Sequence, residues 1–79
     1  MNEEDLLERI IMNPNICFGK PIIRGMRYPV ENILELMASG MTNQEILADY
    51  EDLEEADLLA SVLFASKVLG AKSITELAA

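Results

Sequence analysis

The stretch VENILELMASGMTNQEILADY, residues 30–50, decides how this chain is read. Val30, Ile33, Leu34 and Met37 recur at i, i+3, i+4 and i+7, the spacing of one face of an α-helix. Gly40 follows, where a left-handed C-cap costs least, so the spacing predicts a helix over Val30 to Ser39. Directly after it, Thr42-Asn43-Gln44-Glu45 has the form of a capping box: the Thr42 hydroxyl and the Glu45 carboxylate satisfy opposite orphan N–H groups. A second helix is predicted to about Tyr50, burying Ile46, Leu47 and Tyr50. Two amphipathic helices divided by a glycine set the fold class as mainly α.

Toward the C-terminus, Asp52-Leu53-Glu54-Glu55 repeats the cap logic with Asp52 at the N-cap. A third helix then runs through Leu58, Leu59, Val62, Leu63 and Ser66 to Leu69, ended by Gly70. Ser73-Ile74-Thr75-Glu76 offers another capping-box pattern, too short to be stable alone. Three helices in this order, with a Gly40-Met41 turn and a tight Glu51-Asp52-Leu53 link, look like a homeodomain-like helix-turn-helix core. Helical hairpins of this length are also common in proteins that never touch DNA. The front of the third helix carries Glu54, Glu55 and Asp57, which duplex phosphates would repel and which more simply complement a helix N-terminus.

Toward the N-terminus, Pro21-Ile22-Ile23 and Met26-Arg27-Tyr28 read as two short β-type runs. Arg24-Gly25 between them supplies the positive-φ position of a tight turn, so a small N-terminal β-hairpin is expected. Residues 3 to 12 place Leu6, Leu7, Ile10 and Ile11 at helical spacing behind an acidic first turn, although Arg9 to Met12 also has strand character. Asn13-Pro14-Asn15 stops that segment. With no repeat or linker, the 79 residues make one domain: residues 1–29 as N-terminal segment and hairpin, 30–70 as helical core, 71–79 as tail.

Composition narrows the function. There is one cysteine, Cys17, and no histidine, so neither an internal disulfide nor a mononuclear zinc site is expected, and no cofactor motif is present. Gly19-Lys20 is not a phosphate-binding loop, because Pro14 stands where the first glycine is required and Pro21 where Ser/Thr is required. The carboxylate pairs Glu3/Glu4 and Glu54/Glu55 are splayed by sequence adjacency and read as solvated faces. The expectation is a binding protein and not an enzyme. An acidic N-terminus and short apolar runs point to a cytoplasmic chain with no membrane partner. The 51% hydrophobic fraction is high for a small domain and leads to the expectation of a homodimer.

Fourteen acidic and six basic side chains give a net charge of −8, which favours a basic protein partner and confines any nucleic-acid contact to a local patch. Half of the positive charge is Lys20, Arg24 and Arg27, on or beside the expected hairpin. They are the candidate nucleic-acid or partner-binding residues. The competing reading is that they pair with the chain's own carboxylates.

The string Asn13-Pro14-Asn15-Ile16-Cys17-Phe18-Gly19-Lys20-Pro21-Ile22-Ile23-Arg24-Gly25-Met26-Arg27-Tyr28-Pro29-Val30 resembles the signature of the domain-of-unknown-function 433 family, and the likeness extends from about Arg9 to Leu63. Met26, Phe18 and Glu51 stand where that pattern usually has threonine, often has glycine, and usually has proline. The resemblance implies a VapB-type antitoxin with a helix-turn-helix core, encoded beside a PIN-like ribonuclease toxin and able to bind its operator DNA. The alternative is a dimeric protein-interaction module with no nucleic-acid binding.

Overall fold

The computed structural model describes residues 2–70. Four helices and one two-stranded antiparallel ladder are present: α1 (Glu3–Leu7), β1 (Ile10–Ile11), β2 (Ile22–Ile23), α2 (Val30–Ala38), α3 (Asn43–Asp49) and α4 (Glu55–Gly70). The mainly helical class holds. The capping-box pattern at Ser73 lies outside the described residues.

The strongest local signals give the elements expected of them. α2 ends at Ser39 with Gly40 at φ +100°, a conformation that only glycine takes without strain. α3 starts on the complete capping box: the Thr42 hydroxyl accepts from the Glu45 N–H at 3.2 Å, and Glu45 accepts from the Thr42 N–H at 2.9 Å.

The N-terminal third differs from expectation. The helix predicted over residues 3 to 12 is one short turn and a half, capped by the Asn2 side chain, and it stops at Leu7. Ile10 and Ile11 leave it to pair with Ile23 and Ile22. Both are β-branched, and the ladder offers them cross-strand packing that an isolated short helix cannot match. Of the expected hairpin, the turn is present and the second strand is not. Arg24 and Gly25 lie at φ 48° and 74°, and the Met26 N–H closes the turn on the Ile23 carbonyl at 2.8 Å. Beyond it the pairing continues as an isolated bridge, Ile22 to Pro29, flanked by the Ile23 N–H to Tyr28 carbonyl and Val30 N–H to Pro21 carbonyl bonds. β2 thus lies between β1 and the 28–29 segment. Both of its isoleucines are also fully buried, so its two faces as well as its two edges are covered.

Ile23, Val30, Ile33, Ile46, Leu53 and Leu58 form the core, drawn from β2, all three longer helices and the α3–α4 link. Tyr28 and Tyr50 close one side edge-to-face, with ring centroids 5.5 Å apart. α1, α2, α3 and β1 all pack on α4.

Candidate functional site

The start of α4 differs from the sequence reading, and the difference organises the molecule. Asp52 is not the N-cap. The N-cap position falls two residues later, at Glu54, with the helix beginning at Glu55, and the Asp57 carboxylate reaches back to accept the Glu54 N–H at 2.8 Å. Asp57 therefore supplies the return arm of a capping box from the third helical position. Asp57 is also fully buried, and a buried carboxylate requires partners.

It receives them from the β ladder. The Arg24 N–H bonds the Arg9 carbonyl at 2.7 Å, so the two residues are neighbours across β1 and β2 and both side chains reach one point. Arg24 grips Asp57 bidentately, Nε to Oδ1 at 2.9 Å and Nη2 to Oδ2 at 2.8 Å, while Arg9 Nη1 donates to the same Oδ1 at 3.0 Å. Arg9 also pairs with Glu54 at 2.8 Å, and Arg24 donates to the Asp52 carbonyl at 2.9 Å. Two guanidiniums face two carboxylates, so the cluster is neutral. Burial pushes the Asp57 carboxyl up, but Arg24, the Glu54 N–H and Arg9 outweigh it and hold the group below its ordinary value. Hydrogen bonds to Glu54 and Asp57 raise Arg9, and the bond to Asp57 raises Arg24.

This places the three candidate residues. Arg24 is committed to Asp57. Lys20 is paired with Glu31 at 2.6 Å, an exposed contact that also raises its ammonium. Arg27 is exposed, and among the described residues it is the one cation with no ion pair, since Lys67 meets Glu3 at 2.9 Å. The structure does not bring Lys20, Arg24 and Arg27 together as one free cationic grip. Arg9 and Asp57 were missed by residue-level reading. The usable signal was the strand character of Arg9 to Met12: pairing Ile10–Ile11 with Ile22–Ile23 puts Arg9 opposite Arg24.

With most described cations neutralised, the free charge is negative. Asp5, Glu8, Glu35, Asp49, Glu51 and Glu55 are exposed and outside every ion pair. α4 is apolar around much of its circumference, leaving Leu59, Val62, Val68 and Leu69 exposed. Two hollows flank it. One, of about 420 Å³, lies between Met37, Asn43, Glu55, Leu59 and Val62. The other, of about 380 Å³, is an apolar groove between Pro21, Val30, Leu34, Phe64, Val68 and Leu69, with the Lys20–Glu31 pair beside it. Among the described residues, no group of three Cys, Asp or Glu side chains is arranged to hold a metal ion, and no helix is long and apolar enough to cross a membrane.

Fold and site together define a small mainly helical domain whose short β ladder is tied to its longest helix by a buried ion-pair cluster. The sequence profile described as "Protein of unknown function (DUF433)" matches residues 10–65, and the chain belongs to that family. It is similar to the crystal structure of a DUF433 member protein from Anabaena variabilis ATCC 29413, with a TM-score of 0.73 and 30% identity. That likeness covers 81% of this chain and 63% of the solved one, so the chain spans less than two thirds of its relative. No curated protein matches.

Proposed function

We propose that this protein is the antitoxin-type member of a toxin–antitoxin pair, acting by protein contact on a basic, PIN-like ribonuclease. The observation that carries the reading is the charge layout. The chain neutralises its own described cations except Arg27, while leaving exposed carboxylates free on several elements, among them Glu55 beside the apolar Leu59 and Val62 of α4. Opposite fields speed encounter with a basic nuclease, and apolar anchors then hold it. The hollow bounded by Glu55, Leu59 and Val62 combines both features. The test is co-expression with any PIN-like nuclease found to be encoded beside this chain. Wild type should co-purify with it and suppress its RNA cleavage, and Leu59→Lys should do neither while remaining folded. A chain that leaves cleavage unaltered at stoichiometric excess would remove the reading.

Operator binding through a helix-turn-helix of α2, α3 and α4 is the second reading, supported by the helix order and by the free Arg27. Its reagent is Arg27→Glu, because Arg24 is part of the buried cluster and changing it perturbs the fold. A salt-dependent mobility shift on the upstream region that survives Arg27→Glu would exclude this turn as the contact.

A further inference from the structure

Cys17–Gly19 is a tight turn in which three successive residues are left-handed, at φ 51°, 58° and 79°. Two of them are not glycine, and such residues are strained unless their surroundings hold them. Here the backbone holds them. Gly19 N–H bonds the Ile16 carbonyl and Lys20 N–H the Cys17 carbonyl, each at 3.1 Å, and Ile16 N–H bonds Asn13 at 2.9 Å. At the tip Phe18 is 97% exposed, an aromatic ring presented to water by a rigid, strained support. Among the described residues, nothing packs over that ring.

The apolar groove begins two residues later in the chain, at Lys20 and Pro21, no more than about 7.6 Å of backbone away. Its floor includes Phe64, and its one pair of charges, Lys20 and Glu31, cancel each other. An uncharged apolar hollow with an aromatic wall accepts a phenylalanine ring. We propose that the occupant is Phe18 of a second copy of this chain. Because the knob lies two residues from Lys20 at the groove edge, a two-fold axis beside Lys20 and Glu31 would seat both rings at once. That reciprocity is the defining property of an isologous dimer interface. The Lys20–Glu31 pair cancels the charges that line the groove, which leaves Glu35, close enough to act on Lys20, as a free carboxylate beside it. The inference does not depend on the toxin reading, whose surface lies beside Leu59 and Val62.

The test is sedimentation equilibrium on the full chain, with thermal unfolding as the control. Phe18→Gly deletes the ring and relieves its left-handed backbone, so its fold is retained while self-association weakens by about 30-fold for each of the two rings lost. Val68→Lys, at a position 43% exposed, places a charge in the groove and should weaken the dimer without unfolding the chain. A wild-type chain that stays monomeric at micromolar concentration overturns the proposal. So does a dimer that Phe18→Gly leaves as tight as wild type, or one indifferent to Val68→Lys.

Discussion

Replacing Asp57 with asparagine keeps the shape of the side chain and should nevertheless remove much of the stability of the fold. Oδ1 accepts from Arg9 Nη1 and Arg24 Nε; Oδ2 accepts from Arg24 Nη2 and the Glu54 N–H. All four partners are donors. Whichever way the amide is turned, its NH₂ faces two of them inside a fully buried site, and two charge-assisted bonds become donor–donor contacts. Removing one partner of a buried charged set costs about 3–5 kcal/mol. Arg9 and Arg24 side chains keep 19% and 37% of their exposure and can turn to water, so the lower end, about 3 kcal/mol, is expected. A domain of this size loses about 4–8 °C of Tm per kcal/mol, so Asp57→Asn should lower Tm by roughly 12–24 °C. Thermal unfolding followed by circular dichroism measures this directly. A second readout fixes the cause. The Asp57 carboxyl is held below its ordinary 3.8 in the fold, so on acidification the unfolded chain takes up that proton first. Its stabilisation is complete above the unfolded value and is lost as pH falls through the folded one. Wild type should lose stability as pH falls below the ordinary Asp value of 3.8, and Asp57→Asn should lack that component. A Tm change under about 4 °C, the size of an ordinary surface substitution, refutes the account of the cluster.

Three further outcomes follow from the packing and caps. Ile23→Ala, in the core, should cost about 2–5 kcal/mol by urea unfolding, while Leu59→Ala, 56% exposed, should stay within about 0.5 kcal/mol. Thr42→Ala should destabilise by about 1 kcal/mol through loss of the α3 cap. In the same variant, the Glu45 carboxyl, now lowered by the Thr42 N–H and hydroxyl, should rise only part of the way to its ordinary value in an NMR titration, because the backbone N–H remains. Arg27→Ala should leave Tm unchanged, in contrast to Arg24→Ala, which strips the buried Asp57 of its bidentate partner.

What could be read from the sequence was what is decided locally. α2 and α3 follow from apolar spacing, Gly40 and the Thr42–Glu45 box, all within a few residues of the structure they specify. The Arg24–Gly25 turn is likewise local. Ile10–Ile11 was not fixed this way, because its strand partner lies twelve residues on and the same isoleucines also suit a helix face. The α4 start was displaced for a related reason. Asp52 and Asp57 both look like helix-front carboxylates, and only the arrival of Arg9 and Arg24 from far along the chain selects Asp57 as the buried one. The candidate cations could be named from the sequence, but the commitments of Lys20 to Glu31 and of Arg24 to Asp57 are tertiary facts. Charge counting alone could not separate a free cationic patch from an internally paired one.

The ion-pair cluster also bears on how the chain reaches its native state. Arg9 and Arg24 meet Asp57 across 48 and 33 residues of sequence, whereas most helical domains are built from near neighbours. The front of α4 stays incomplete, with a carboxylate awaiting its cations, until both loops have closed. α2 and α3 can form early on their own caps, and the docking of residues 9–24 onto the front of α4, which closes the longer loops, is expected to follow. A fragment that begins at Val30 would retain every helix of the core and still lack what completes it.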